Sequence, residues 1–555
     1  MNSHAMIPTQ IYTKGVAGMG SSNDNAAIIF GNKRWVGSRK DMDEKLKTLI
    51  SPTQDLNMKS SFPNPNQDGR YNSIYHQDGI LIPGLKDSHA HPVLYSIIGS
   101  LDPIYIFGLK NKHEILDKIR KEIDTRKEKG IIFAYDLNTT LIKDLNSQDL
   151  NLIESELPVI IFDPSYHGAI ANSKALSVIN QLAIKKKKEL GRELAGQMLP
   201  NGKLSEEYVF LAFELMDSVF GKDISEAAKN ESKHIISYLE NMLKRGVTSC
   251  NDMLISTPTQ VYALLLANLE WKDLKNSKFP VDKIYLRPDL FLLFSKNKQT
   301  YGEIISKLNP WINENKVGLK LFSDGSFGSY TANLSENYSN ANTNGIAFDS
   351  RALYTDAFNL IKQLGIKDVR IHAIGDRGIL HALNMIRIAR SVIGRDLNAG
   401  IEHFELSGYS NIIQIAKQMG IKVCIQPNFN SDIYDYRDRL GERISQINPL
   451  KSISNLEIPM TFGTDGMPDS MLFALFSAIN HPNPKQALSF EESLIFSSDP
   501  DPSNLIIISN NAFKSLQRMP DQEQIKIAFK RSDEIAAALN QSVLKTIIGG
   551  ILASS

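Results

Sequence analysis

Pro83-Gly84-Leu85-Lys86-Asp87-Ser88-His89-Ala90-His91-Pro92 is the stretch whose reading decides the fold. It continues an apolar run, Leu81–Leu85, and ends in two imidazoles two positions apart. Side chains at i and i+2 leave a strand on the same side, so His89 and His91 can reach one ion. Neutral histidine is the commonest metal ligand among side chains. Taken alone, a His-x-His reads more simply as two surface histidines. Here it lies where an apolar strand runs into an Asp-Ser turn, which makes the strand end the place to look for chemistry.

Working outward, further strand candidates fall at 247–252, 283–290, 317–322, 369–374, 399–404, 422–427 and 459–464, with the first at 81–87. Helix-like stretches such as Thr355–Gln363, Gly378–Ser391 and Ser410–Met419 separate the later ones. Alternation of this kind predicts a parallel α/β fold, and eight strands suffice for a closed (β/α)8 TIM-type barrel. Residues 92–245 are far too many for one strand-to-helix connection. They predict an inserted domain with strands Ile131–Tyr135 and Val159–Phe162 and helices Lys110–Lys127 and Ile224–Lys244. Entering after the first strand, it is expected to lie over the C-terminal face as a lid. Lys185–Lys188 within it reads as a solvated helix face, with phosphate binding the lesser alternative. Near the N-terminus, Ala26–Phe30 and Arg34–Gly37 read as strands around a turn, and 51–79 as a linker rich in Ser, Asn, Pro, Asp and Gln.

The other informative polar residues fall at the ends of other predicted strands. His372 ends Val369-Arg370-Ile371-His372, His403 ends Gly400-Ile401-Glu402-His403, and Asp465 follows Met460–Thr464. The chain holds 11 histidines, and four of them stand at such ends, where a barrel of this kind builds its active site. Singly, each could be a hydrogen-bonded core histidine; together they predict a metal site. Lys320 lies inside the apolar run Val317–Phe322. A charge there is costly unless paired or neutralised. Two readings stay open: a lysine paired with a carboxylate, or a neutral amine that captures carbon dioxide as a carbamate and so becomes an anionic metal ligand. Asp465 can ligate a metal or act as general base toward the attacking water; the plainer alternative is a turn aspartate in Thr464-Asp465-Gly466.

Bulk properties narrow the class. With 555 residues, two or three domains are expected. The composition, 42% hydrophobic and 22% charged, is that of a globular protein, and the net charge of +1 gives no electrostatic reason to expect a nucleic-acid or membrane partner. The two cysteines, Cys250 and Cys424, lie in apolar runs and are expected as buried thiols rather than one disulfide. No signal peptide is visible, and no apolar run reaches the roughly 18 residues of a membrane helix. A cytoplasmic, soluble protein is the expectation.

The order of these motifs resembles the amidohydrolase superfamily, and within it amidohydrolase family 3, the group that includes N-substituted formamide deformylase. The resemblance rests on Pro83–Pro92, Lys320–Ser329, His372–Arg377, Ile401-Glu402-His403, Gln426-Pro427 and Gly463-Thr464-Asp465, with His167, Asn172-Ser173 and Gly246–Ser249 as further matches. Ile11-Tyr12-Thr13 and Val543–Gly550 resemble the two ends of that family's small β-domain. The organisation this implies is 1–80 as the N-terminal part of the small β-domain plus linker, 81–91 as first barrel strand and metal motif, 92–245 as lid, 246–485 as the rest of the barrel, and 486–555 as the C-terminal part of the β-domain.

The resemblance further implies hydrolysis of a C–N bond, amide or N-acyl or N-formyl, in a small molecule, with one or two divalent ions, zinc by preference. His89 and His91 would bind one ion and His372 and His403 the other, with carbamylated Lys320 bridging and Asp465 as ligand and base. Lys320 and Asp465 are the expected catalytic residues, and a homodimer is the expected assembly. His167, Phe327 and Tyr330 are expected on substrate, and Phe429 as a further part of an apolar wall. Asp87, Asp324 and Glu402 are candidates to orient the ligands, and Asp376 to cap the helix starting near Arg377. Two departures bear on substrate: Tyr330 stands where the family usually has Arg, and Ala134-Tyr135-Asp136 where it has a Gly-Trp-Asp-like segment. Residues 497–530 also lack the family's Gly-Lys-x-Ala-Asp run. Deamination, lactone or ester hydrolysis at the same site, and metabolite binding without turnover, are the competing functions.

Overall fold

A computed structural model describes residues 9–554 apart from 17–20, 31–32, 39, 43, 46–71, 107, 138–143, 218–219, 222, 276, 349–350 and 550. Eight parallel strands form its centre. In chain order these are β5 (Leu85–Ala90), β11 (Val247–Ile255), β12 (Val281–Leu286), β13 (Val317–Phe322), β14 (Asp368–Ala373), β15 (Asn398–His403), β16 (Lys422–Ile425) and β17 (Met460–Phe462). Each pairs with its neighbour in the order β5-β11-β12-β13-β14-β15-β16-β17. The fold is α/β, and the sheet is a nearly closed barrel. The last gap is spanned by the turn after β17, where Asp465 N donates to His89 O at 2.8 Å and Thr464 N to Asp87 Oδ1 at 3.0 Å.

The register explains why polar residues share one face. Leu319, Val369, Ile371 and Ile401 are buried on the face packed by helices. The alternate positions form rows: Lys320 beside Arg370 and Gly400, then Phe322 beside His372, Glu402 and Cys424. Gly400 leaves room in the first row for the Arg370 guanidinium, which a Cβ there would meet at 2.2 Å.

A second sheet has seven strands in the order β20-β19-β18-β4-β1-β2-β3. It joins β1 (Thr9–Val16), β2 (Ser21–Phe30), β3 (Lys33–Ser38) and β4 (Asn72–Pro83) to β18 (Leu505–Ser509), β19 (Val543–Ile548) and β20 (Ile551–Ser554). Two sequence expectations are corrected here. Residues 72–79 belong to β4 rather than to a linker, and 81–83 end β4 rather than begin the barrel strand; the remainder of 51–79 lies outside the described residues. The chain switches sheets at Gly84, whose N–H donates to Asn504 O at 2.8 Å. Similarly, the 283–290 candidate stops at Leu286, because Pro288 opens a helix, Pro288–Lys296.

Between β5 and β11 lies a third sheet, ordered β10-β9-β8-β7-β6, made of β6 (Ile104–Tyr105), β7 (Ile132–Tyr135), β8 (Val159–Phe162), β9 (Gly168–Ala171) and β10 (Lys203–Ser205). Alternation assigns its two faces. Ile132, Val159 and Ile161 enclose a small apolar core of their own, while Phe133, Ile160 and Phe162 join the main core. Both cysteines are buried free thiols, and no described helix is long and apolar enough to cross a membrane.

The helix Ile224–Lys244 carries Glu231, fully buried, with neither carboxyl oxygen hydrogen-bonded among the described residues. Burial, aided by the nearby Asp217, pushes its pKa up to about 10. The folded state therefore holds a proton that the unfolded chain releases above about 4.5. This contribution is fully present below that pH and is lost as pH rises toward 10. Glu231→Gln is expected to raise the melting temperature at pH 8 by a few degrees and to give no gain at pH 4, as read by thermal melts at both values.

Candidate metal centre

Five imidazoles form a chain across the C-terminal ends of the barrel strands. Ring centroids are 5.2 Å apart for His91–His89, 4.8 Å for His89–His403, 4.4 Å for His403–His372 and 5.1 Å for His372–His167. His89 and His91 follow from β5, His372 from β14 and His403 from β15, while His167 comes from the inserted sheet just before β9. With Lys320 and Asp465 they line one cavity of about 300 Å3.

Burial keeps the His89, His372 and His403 rings neutral, the state in which a nitrogen lone pair is free to bind a cation. His89 and His372 are pushed well below the usual histidine range, first by burial and then by neighbouring positive groups. His403 falls to about 3, again chiefly through burial. The hydrogen bonds select which nitrogen stays free. His89 Nδ1 lies 2.6 Å from Glu402 Oε2 and donates to it, leaving Nε2 for a ligand. His372 Nε2 donates to Gly325 O at 3.1 Å, leaving Nδ1. His91 Nδ1 and His403 Nδ1 are buried without a partner among the described residues.

Asp465 completes the set. Its Oδ1 lies 2.9 Å from His91 Nε2 and 3.7 Å from His89 Nε2. Burial raises its pKa, but the His91 hydrogen bond and the surrounding positive groups more than offset this and hold the carboxyl below its usual value. Tyr95 Oη donates to its carbonyl at 2.8 Å. Lys320 is fully buried with its Nζ 5.4 Å from the Phe322 ring. Burial lowers its pKa against the opposing pull of Glu402 and Asp465.

Among the described residues, two groups of three ligand atoms lie close enough to hold an ion: His89, His91 and Asp465, and His89, Glu402 and Cys424. The second is already used internally, since Glu402 accepts from His89 and burial keeps the Cys424 thiol protonated. The first brings two imidazoles and a carboxylate together and fits a divalent cation.

The three orienting candidates divide. Glu402 alone among them bonds an imidazole. Asp87 instead clamps backbone, accepting from His89 N, Thr464 N and Thr464 Oγ1, and so ties β5 to β17. Asp324 accepts from Asn333, Ile374 and Gly375 N–H groups, with Oδ1 3.9 Å from His372 Nε2. Asp376 does not cap its helix. Gly375 occupies the cap position, and the Asp376 carboxylate holds Ser335 N and Oγ instead.

Among the expected substrate contacts, His167 and Phe327 line the cavity. His167 is held by Glu206, its Nδ1 2.7 Å from Glu206 Oε2. Tyr330 is not among the lining residues; its ring packs on Tyr338 and under the Arg439 guanidinium, 4.3 Å away. Phe429 lines the cavity and stacks on His403. Tyr135 stacks on Tyr166, a further wall residue. Glu206, Tyr95, Tyr166, Glu405 and Asp432 carry no sequence signal, because each acquires its place through contacts with distant segments. Several residues here have left-handed backbone: His403 (φ 71°), Phe404 (50°), Asp465 (55°), Tyr166 (55°) and Glu206 (55°). Such conformations cost about 1–3 kcal/mol each, persist only where the surroundings over-determine them and cluster at functional sites.

Gly463 shows how tightly His89 is held. A Cβ there would lie 2.4 Å from His89 Cβ and 2.6 Å from its N, and backbone cannot give way as a flexible side chain can. Gly463→Ala is expected to displace the His89 ring and lower kcat/KM by about 10- to 100-fold with weaker metal retention, checked by steady-state kinetics and metal analysis.

The family model Amidohydro_3, described as "Amidohydrolase family", matches residues 77–496. The chain is 24% identical over 503 residues to the Arabidopsis thaliana protein LONG AFTER FAR-RED 3, covering 85% of this chain and 82% of that one. It is 22% identical over 310 residues to the exoenzymes regulatory protein AepA of Pectobacterium carotovorum subsp. carotovorum, covering 54% of this chain and spanning only 62% of that relative's length. Among solved structures it resembles uncharacterized metal-dependent hydrolases from Pyrococcus furiosus (TM-score 0.60, 20% identity, 91% and 99% of the two chains) and Pyrococcus horikoshii OT3 (0.62, 19%, 91% and 98%). At such identities these structures speak to the fold alone. The matched region runs through every barrel strand and through all six polar side chains gathered at their ends, and on that ground the chain belongs to the amidohydrolase family.

Proposed function

We propose that this protein is a metal-dependent hydrolase of a C–N bond, amide or N-acyl or N-formyl, in a small molecule. The observation that carries this reading is the convergence of His89, His91, Lys320, His372, His403 and Asp465 on one cavity at the strand ends. Its volume, about 300 Å3, suits a small substrate. His89, His91 and Asp465 would hold one divalent ion, zinc by preference. His372 and His403 would hold a second, and a carbamate on Lys320 would join the two. A bound divalent ion polarises a carbonyl and makes water acidic enough to ionise near neutral pH.

The chain's own groups do the rest. Asp465, a charged carboxylate at neutral pH, accepts a proton from the attacking water and passes it to the departing amine. Glu402 fixes the His89 tautomer, and His167, held by Glu206, faces the reacting region from the inserted sheet, which we read as a lid. Phe327 and Phe429 exclude water along one wall.

The test is a substrate panel run on protein whose metal content has been measured. N-acyl and N-formyl amines, amino-heterocycles, lactones and esters are offered, and release of amine, ammonia and acid is followed. Amine and acid released together, abolished by a chelator and restored by metal, is the expected result. Ammonia from amino-heterocycles would point to a deaminase, and acid only from esters or lactones to an esterase. No turnover of any panel member by metal-loaded protein would reject the reading in favour of a binding protein.

A further inference from the structure

Beyond the imidazoles, the cavity is bounded by a second row of rings. It runs from Tyr95, on the helix Pro92–Ser100, through Tyr166, Phe213 and Phe210 to Phe322 at the end of β13. Phe210 and Phe213 are three apart on the helix Glu207–Asp217 and so share one face. Successive ring centroids are 6.2, 5.8, 6.3 and 5.2 Å apart, the spacing of interacting aromatic pairs. The row begins 6.5 Å from the His91 ring and ends 5.3 Å from that of His372. Imidazoles and aromatic rings thus close a circuit in which every ring lines the cavity. A substrate held at the imidazoles faces the aromatic arc.

Groups outside the circuit hold the arc in place. Tyr135 stacks on Tyr166 at 5.0 Å and Phe162 on Phe213 at 5.5 Å. The Arg287 guanidinium lies 5.1 Å from the Phe210 ring, and Lys320 Nζ 5.4 Å from that of Phe322. Two of the five rings therefore already carry a cation, which disfavours a cationic occupant. The Tyr95 hydroxyl is turned to Asp465 O, and Leu94 and Leu254 add apolar surface to the same cavity. Phe210, Lys320 and Phe322 also line a second cavity of about 240 Å3. Its arginines are paired, Arg192 with Glu207 at 2.7 Å and Arg287 with Asp289 at 3.2 Å. Phe210 and Phe322 are thus the partition between the two cavities.

We propose that this arc binds a neutral aromatic ring of the substrate, and that Phe210 sets how far that ring can extend. The class this names is an amide with an aryl group on a short arm from the scissile bond. A saturated group gains from any apolar wall in proportion to the area it covers, whereas a flat ring also gains from the faces and edges of five others. The proposal rests on the hydrolase reading for the identity of the reacting bond but not for the ring site itself.

Two measurements separate the two ideas. The first compares kcat/KM for amides of 2-phenylethylamine and 2-cyclohexylethylamine, and then for 3-phenylpropanoyl and 3-cyclohexylpropanoyl amides, the spacer keeping the scissile bond alike. The native protein is expected to prefer the phenyl member of one pair by about 10-fold, although cyclohexyl is the more apolar. Phe213→Leu and Tyr166→Leu, which keep apolar bulk without the ring, are expected to lose most of that preference; either suffices should the other fail to fold. Phe210→Ala, or Phe210→Val should the alanine variant not fold, joins the two cavities and is expected to raise the kcat/KM of a biphenylyl amide relative to the phenyl one by about 10-fold. The second measurement needs no turnover: the melting-temperature shift of metal-loaded protein with benzohydroxamate against cyclohexanecarbohydroxamate, which chelate a metal through the same group. Benzohydroxamate is expected to give the larger shift in the native protein and an equal one in the leucine variants. Equal or better use of the cyclohexyl member of both pairs, a phenyl preference unchanged in the leucine variants, or a preference for a trimethylammonioethyl amide would overturn the ring site. An unchanged biphenylyl ratio would overturn Phe210 as its limit. Where no amide is turned over the hydroxamates decide: a larger benzohydroxamate shift keeps the ring site while the hydrolase reading falls, and equal or absent shifts overturn the ring site.

Discussion

Asp465→Asn is expected to keep the fold and the bound metal in large part and to lose about 10²–10⁴-fold in kcat, the range spanned by a positioned acid–base group. The amide is isosteric with the carboxylate and can still accept from His91 Nε2 through its oxygen, so the turn after β17 has no reason to rearrange. The backbone bonds that place this residue, Asp465 N to His89 O and Tyr95 Oη to Asp465 O, do not involve its side chain. What is lost is the negative charge that accepts a proton. Because the carboxyl lies below its usual pKa, the native residue is ionised throughout the neutral range. Steady-state kinetics paired with elemental analysis decide the matter: near-native kcat in a metal-replete variant would remove Asp465 from the role of base.

His403→Ala is expected to lower metal content and turnover together. His403 touches His89 on one side and His372 on the other, at ring separations of 4.8 and 4.4 Å, so its loss opens the middle of the imidazole chain. The fall in metal affinity should exceed the roughly 10–100-fold typical of removing a group that merely orients a ligand. Glu402→Gln supplies that weaker comparison, since Glu402 bonds the centre at His89 Nδ1. Titration of metal into stripped protein reads both. An unchanged metal stoichiometry and affinity in His403→Ala would place this histidine outside the coordination sphere.

The eight barrel strands were legible because strands covered on both faces are nearly continuous apolar runs, and a buried polar residue within one, such as Lys320 or Glu402, stands out against them. Their ends were less so. The run Leu81–Leu85 continues through Gly84 with no break in hydrophobicity, although the chain leaves one sheet and enters another there. Pro288 carried a signal that the apolar residues around it masked. Asp376 looked like a helix cap, and only the loop bearing Ser335 gave its carboxylate a different partner.

The sequence by itself determined the alternation of strands and helices, the long insertion after the first barrel strand, and the six polar side chains at strand ends, because these are properties of residues near one another along the chain. Only the tertiary structure decided which nitrogens of His89 and His372 are engaged, that Asp87 clamps backbone while Glu402 orients a ring, and that Tyr330 packs on Tyr338 and Arg439. It also brought Glu405 and Asp432 together, 27 positions apart, and Glu206 to His167, 39 apart. Contacts of that kind arise only when segments distant along the chain pack together. No local preference of the residues involved encodes them, and at His403 and Asp465 the backbone adopts a conformation that local preference opposes.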